Sequence, residues 1–287
     1  MNSSKALTQK WFCTLMVSRK FSIQPSVPPK RLEDELPEPP KIVVSQQAFN
    51  TKLKDYLNVV SSREPSKKSY LSKSDKWATS DEMKFLLSNL TSQFKFTNIL
   101  ELGAGASSIV FAKALSMSSG GCFTSIESMP QWCQEEWAEV TSFKGIDACL
   151  IEASVKLKVG LMGLYYQYKI ESQLLKNRAP FDLVFIDGPQ YYLGRDGVLP
   201  LIAPHLAEHA LIVLDDAGRK GERWAISRWL DTYPALKVIH YSWDFGGRGL
   251  AVLSVTSKLK PRISLKAIFS CTQQTYLRWQ RRRRGDC

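Results

Sequence analysis

From Ser45 the apolar positions Phe49, Leu53, Tyr56, Leu57 and Val60 recur at three and four, the spacing of one helix face. A Ser/Lys-rich stretch from Ser61 to Lys76 ends that pattern. A second helix is predicted from about Ser80, because Met83, Leu86, Leu87, Leu90 and Phe94 share one face. Thr79 or Ser80 can cap its start, where Asp81 and Glu82 meet the positive end of the helix dipole. Past Phe96 the period changes. Short apolar runs alternate with longer amphipathic ones, which predicts parallel strands covered by helices on both faces. The predicted strands are Asn98 to Leu102, Phe123 to Glu127, Ala148 to Ala153, Asp182 to Asp187, Ala210 to Asp215, Leu236 to Trp243 and Gly249 to Val255. Helices fit between the first five and after the fifth. Only Gly246 to Gly249 separates the last two runs, so they should pair as an antiparallel hairpin. The expected fold class is α/β: a doubly wound, mostly parallel seven-stranded sheet with a terminal antiparallel hairpin, Rossmann-like in outline.

Proline and charge divide the rest of the chain. Six of the 14 prolines lie between Pro25 and Pro40, too dense for a regular helix or a central strand. The expected organisation is a basic, Pro-rich extension and linker (1–40), a helical segment (41–95), the α/β domain (96–257) and a basic carboxyl-terminal tail (258–287). The net charge of +12 is uneven. Residues 1–32 hold six bases and no acid, and residues 258–287 hold nine bases against Asp286, so the middle is slightly negative. A nucleic-acid-binding face spread over the folded domain is therefore not indicated. The tails leave contact with an anionic membrane surface or a polyanion open, Ile263 to Trp279 combining apolar residues with the run Arg281 to Arg284. No apolar run reaches the roughly 20 residues of a transmembrane helix. Cys13, Cys122, Cys133, Cys149, Cys271 and Cys287 form no CxxC pair, which argues against zinc and for a reducing, cytoplasmic location. Residues 1–32 would instead suit an organellar transit segment if the source is eukaryotic. The oligomeric state is not readable.

Candidate chemistry begins where the first strand runs into Glu101-Leu102-Gly103-Ala104-Gly105-Ala106-Ser107-Ser108 and then a helix. Glycine suits a turn that must reverse tightly and let its backbone approach a ligand. The third glycine of the dinucleotide fingerprint is replaced by Ser108, and no phosphate-binding Gly-Lys-Ser/Thr motif is present. The second strand ends in Glu127, an acceptor suited to a ribose diol. With five further strands ending in a hairpin, this arrangement resembles the class I S-adenosylmethionine-dependent methyltransferases over about residues 77–257. The resemblance implies that Gly103, Gly105 and Ser107 lie under the methionine and ribose of the cofactor, with Glu101 near its amino end. It further implies that Glu127 holds the ribose hydroxyls and that Ala153, at the third strand's end, lies beside adenine.

The fourth predicted strand ends in Asp187 and the fifth in Asp215 and Asp216, 28 and 29 residues later. Parallel strands bring these ends to one edge, where three uncompensated carboxylates would repel unless a cation or a basic substrate neutralises them. Oxygen ligands favour Mg²⁺ or another hard divalent ion. The pattern is similar to the metal site of catechol-type and macrolide-sugar O-methyltransferases, which implies Asp187, Asp215 and Asp216 as ligands and Asp187 as metal ligand or proton acceptor. The lysine base of the catechol type is missing; Gly188, Pro189 and Gln190 follow Asp187, and the next basic residue is Arg195. Arg195, Arg219, Lys220 and Arg223 fall in segments where substrate loops are expected. Tyr165, Tyr166, Tyr168, Tyr191 and Tyr192 could form a substrate wall or pack internally, and His205, His209 and His240 give no clear signal. The expected function is O-methylation of a small hydroxylated molecule or sugar. Two alternatives stand beside it. Asp187-Gly188-Pro189-Gln190-Tyr191 is a distorted version of a nucleic-acid amino-methylation motif, and a catalytically silent binding protein of the same fold is the other.

Overall fold

The computed structural model describes residues 53–58, 79–118 and 120–285. All belong to the second of two compact units, Pro37–Cys287. The expected linker, the Ser/Lys-rich stretch through Lys76 and the basic residues 1–32 lie outside the described residues.

A helical segment at 53–58 buries Leu53 and Leu57, two of the positions its apolar period singled out. Helix α1 (Asp81–Gln93) follows, its first turn capped by Ser80, whose hydroxyl accepts from the Met83 N–H. Then come β1 (Asn98–Leu102), α2 (Ala106–Ser116), β2 (Gly121–Glu127), α3 (Gln134–Ser142) and β3 (Ile146–Glu152). An insertion, β4 (Val155–Gly160) and β5 (Gly163–Tyr168), forms a separate antiparallel pair. The helix expected between β3 and the next core strand, α4 (Ser172–Arg178), arrives only after the hairpin. Next are β6 (Phe181–Ile186), α5 (Val198–Ile202), β7 (Leu206–Asp215), α6 (Lys220–Thr232), β8 (Leu236–Ser242), β9 (Leu250–Val255) and α7 (Leu265–Arg284).

The main sheet has the order β3-β2-β1-β6-β7-β9-β8. Its first five strands are parallel, while β9 inserts antiparallel between β7 and β8, so the expected terminal hairpin is present. Alternate strand residues feed two cores. Leu100, Leu102, Val184, Ile186, Ile212 and Leu214 face the side covered by Trp229, whereas Ile99, Leu183, Phe185, Leu211 and Val213 face α1 and α2. On the second side Phe111 stands between Phe123 and Phe185, with ring centroids 5.7 and 6.0 Å away. Burying each such ring contributes about 1.5–3 kcal/mol, which makes this sheet a stiff platform for the loops at its edge.

The basic tail expected at 258–287 contains helix α7. Ser264 caps α7 by accepting from the Ala267 N–H, and the helix packs on β5 through Ala267, Cys271 and Thr275. Thr272 accepts from the Leu164 N–H at 3.1 Å. Among the described residues no helix is long and apolar enough to cross a membrane.

Candidate active site

The chain runs outward from β1 to β3 in one direction and from β6 to β7 in the other, so the crevice opens between β1 and β6, where strand order reverses. Leu102 is in register with both Ile126 and Ile186, and Ile186 with Leu214. That register delivers Gly103, Glu127, Asp187 and Asp215 to one edge. There a cavity of about 590 Å³ is lined by Gly103 to Ser107, Glu127, Ser128, Trp132, Asp187, Arg195, Asp216, Arg219 and Arg248, among others.

Gly103 is left-handed (φ +98°), and a Cβ there would fall 2.9 Å from the Gly188 amide nitrogen. Only glycine lets the two loops meet so closely. A Cβ on Gly105 would meet nothing within 4 Å, so its backbone borders open cavity space. Beneath the loop, Glu101 is fully buried and accepts from the hydroxyls of Ser107, Ser108 and Ser125 at 2.6, 2.5 and 2.7 Å. Burial pushes its carboxyl up to about 7 against the opposing effect of the three hydroxyls. Ser108 in turn accepts from the Gly105 N–H at 3.1 Å. Glu101 therefore does not line the cavity; it ties the start of α2 to β1 and β2 from below.

Glu127 does line the cavity. One carboxylate oxygen accepts from the Ser128 and Met129 N–H groups at 2.6 and 2.7 Å, and the other accepts from the Ala104 N–H at 3.0 Å. The oxygen facing Ala104 keeps a second lone-pair direction for a ligand hydroxyl. Ala153 is not at the cavity. Its N–H donates to the Glu127 carbonyl and its methyl joins the core, because the chain turns inward there to begin the β4–β5 hairpin. Trp132 and Glu136, neither of them a candidate from the sequence, line the cavity beyond Glu127. Trp132 sits in a single helical turn (Pro130–Trp132) and is 71% exposed, a signal available only as an aromatic shortly after a strand-end acid.

The three aspartates converge as expected. Each of Asp187, Asp215 and Asp216 offers an oxygen within 4.8 Å of the others. The expectation that no base compensates them is not met. Arg195, 2% exposed, donates to the carboxylates of Asp187 and Asp216 at 3.0 Å each, and to the Asp215 carbonyl at 2.6 Å. Arg219 approaches Asp216 at 2.7 Å and Arg248 at 3.7 Å. Burial raises the Asp187 carboxyl, with Arg195 pulling it back down. The Asp215 carboxyl is pushed up to about 7, first by burial and then by Asp187 and Asp216. One Asp215 oxygen accepts from the Asp216 N–H, and the other is buried with no hydrogen-bond partner among the described residues. A divalent ion fits this arrangement poorly, because one oxygen each of Asp187 and Asp216 already holds a fixed guanidinium, leaving Asp215 Oδ2 and Asp216 Oδ1 as the buried carboxylate oxygens without a hydrogen bond among the described residues. Of the other candidates, Tyr168, Tyr191 and Tyr192 line the cavity, and Arg219 stacks over the Tyr191 ring at 5.6 Å. Tyr165 is in the core, and His205, His209 and His240 are not among the cavity residues.

No curated protein matches the chain in sequence. Among solved structures, the O-methyltransferase TomG of Streptomyces achromogenes, in complex with SAM, is 18% identical, with 75% of this chain and 100% of that one covered and a TM-score of 0.45. An O-methyltransferase from Bacillus cereus in complex with SAH is 16% identical, covering 74% and 93% of the two chains with a TM-score of 0.47. The SAH-bound methyltransferase PaMTH1 of Podospora anserina is 14% identical, covering 75% and 100% with a TM-score of 0.48. Residues 100–217 match the family model described as a methyltransferase domain. The glycine loop and the reversal between β1 and β6 fall in this matched stretch, over which the chain is similar to S-adenosylmethionine-dependent methyltransferases.

Proposed function

We propose that this chain transfers the methyl group of S-adenosylmethionine to a hydroxyl oxygen of a small-molecule acceptor, with Asp187 taking up the hydroxyl proton. The observation that carries the reading is one cavity lined both by the Gly103–Gly105 loop with Glu127 and by Asp187. Its volume of about 590 Å³ lies in the usual range of small-molecule sites, roughly 300–1,000 Å³. The open space at Gly105 and the remaining lone pair of Glu127 suit a ligand with a ribose diol.

Gly103, Gly105, Ser107 and Glu127 would hold S-adenosylmethionine, which when bound supplies an activated sulfonium methyl group. The work left to the protein is alignment and proton uptake. Pro189, Gln190, Tyr191 and Tyr192 follow Asp187 and line the same cavity, so they would bound the acceptor. Asp187 would take up the acceptor's hydroxyl proton as that oxygen receives the methyl group, with S-adenosylhomocysteine as the other product. Arg195 favours the ionised form of that carboxylate against the opposing effect of burial and fixes its orientation.

Calorimetric titration with S-adenosylmethionine and S-adenosylhomocysteine tests the reading. Both should bind one per chain, and Asp187→Asn should keep that affinity while transfer to an acceptor falls roughly 10²- to 10⁴-fold. Absence of binding by either compound overturns it.

A further inference from the structure

The cation at this sheet edge is part of the chain. Arg195 lies eight residues past Asp187, and its guanidinium is aimed back at the ends of β6 and β7. One terminal nitrogen donates to the Asp187 and Asp216 carboxylates at 3.0 Å each. The other donates to the Asp215 carbonyl at 2.6 Å and the Ile186 carbonyl at 3.4 Å. The Nε stands 3.8 Å from Glu222, itself buried on α6. The group is thus a nearly buried cation at the cavity wall, held by acceptors on three elements and bridging the Asp187 and Asp216 carboxylates, which with Asp215 offer oxygens within 4.8 Å of one another. Burial works against the charge of this guanidinium, but Asp187, Glu222, Asp216 and Asp215 together more than offset it and hold the proton in place.

A divalent ion drawing on the same carboxylates would compete with these hydrogen bonds at Asp187 and Asp216 and stand beside a fixed positive charge. We infer that Arg195 is the resident cation of this centre, occupying the place that a divalent ion would take between Asp187, Asp215 and Asp216, so that the site works without metal. Resting on the methyl-transfer reading, a second consequence concerns the acceptor. A bridging metal selects two vicinal oxygens because it chelates both, whereas a guanidinium whose terminal nitrogens already donate to Ile186, Asp187, Asp215 and Asp216 offers the substrate no open coordination position. The acceptor class is then a molecule presenting a single hydroxyl to Asp187, with no requirement for a neighbouring one. Arg195 is a positioning residue here, acting through Asp187.

Mn²⁺ uptake by the full-length chain, followed by electron paramagnetic resonance, tests this without need of any acceptor. Wild-type protein should bind no stoichiometric Mn²⁺ at concentrations up to about the millimolar range. Arg195→Ala vacates the guanidinium and leaves the carboxylates, so it should gain one Mn²⁺ per chain, and adding Asp216→Asn should abolish that gain. A purely structural role for Arg195 predicts no such gain. One Mn²⁺ bound per wild-type chain and lost in Asp216→Asn overturns the inference, as does a folded Arg195→Ala that takes up no ion. If Arg195→Ala does not fold, the wild-type and Asp216→Asn arms decide alone. Cofactor titration in the same samples keeps the two readings apart, because failure to bind S-adenosylmethionine removes the methyl-transfer reading and leaves the ion result standing.

Discussion

Glu101 is a carboxyl group sealed from water at the point where β1 enters the glycine loop, and its ionisation is tied to folding. In the unfolded chain it titrates near its ordinary value of 4.5, and in the folded protein near 7. Between those values the folded state holds a proton that the unfolded state has lost, so this group's contribution is fully present below pH 4.5 and disappears as pH rises to about 7. Stability should fall across that window by on the order of 3 kcal/mol from Glu101 alone. Urea unfolding at a series of pH values measures it, and Glu101→Gln should flatten the slope; an unchanged slope in that variant removes the assignment. On the cavity side of the same loop, Gly105 has extended backbone that any residue can adopt, with free space at its Cβ. Gly105→Val should therefore leave the unfolding midpoint almost unchanged while blocking the cofactor. Glu127→Ala should weaken cofactor binding by about 1.5–3 kcal/mol, roughly 10- to 150-fold in Kd, by calorimetry. Full affinity in both variants would move the cofactor elsewhere. Strand ends are legible in a sequence, which is why Gly103, Gly105, Glu127 and Asp187 were recognisable as cavity residues. Which face of the strand a residue takes is less so, and Glu101 belongs with Ile99 on the inner face. Arg195 was visible as the next base after Asp187, but the loop between them has no period from which its return to the aspartates could be read.

At the scale of elements, the central strands were legible because strands covered on both faces are nearly continuous apolar runs, as in Leu183 to Ile186 and Ala210 to Leu214. The β4–β5 ribbon was not, since it is short and its first strand is largely solvent-exposed; the alternation Val155-Lys156-Leu157-Lys158-Val159 was its one signal. Helix α7 escaped for a different reason. It buries the small residues Ala267, Cys271 and Thr275, four apart, while Leu265 and Phe269 stay exposed, so the large apolar residues do not mark the packed face. Its docking is completed by charge. Arg278 reaches Asp196 at 3.0 Å, and the same buried carboxylate is held by Arg228 at 2.6 Å. Burial alone would raise the Asp196 pKa, yet the two guanidinium groups bring it below the usual range. Arg278→Ala should cost about 1.5–3 kcal/mol, felt mainly as faster hydrogen exchange along α7, because Arg228 still neutralises Asp196. Unaltered exchange in α7 would show that the small-residue face holds the helix by itself.

For the whole molecule, charge separates what the domain does from where it could reside. The net charge of +12 is not a property of the crevice, where Asp187, Asp215, Asp216 and Glu222 surround Arg195. Much of it is gathered near α7, which ends in Arg281 to Arg284 and exposes Leu265, Phe269 and Leu277. Basic residues beside exposed aliphatic and aromatic ones can rest on an anionic bilayer, each charge contributing roughly 1 kcal/mol near the surface. Deleting 258–287 would confound the question, since it would strip a docked helix from β5 and leave Asp196 with one partner fewer. Arg282 is also best left in place, because it stacks over Tyr166 and Tyr192 at 5.9 and 5.6 Å and Tyr192 lines the cavity. Replacing Arg281, Arg283 and Arg284 together with Gln removes three charges from the helix end and leaves its buried face intact. The triple variant should keep the wild-type unfolding midpoint and cofactor affinity, while its partition onto vesicles containing about one-third phosphatidylserine falls roughly 100-fold. Sedimentation with those vesicles that is equal in the two proteins, or absent in both, would leave α7 as a purely structural element.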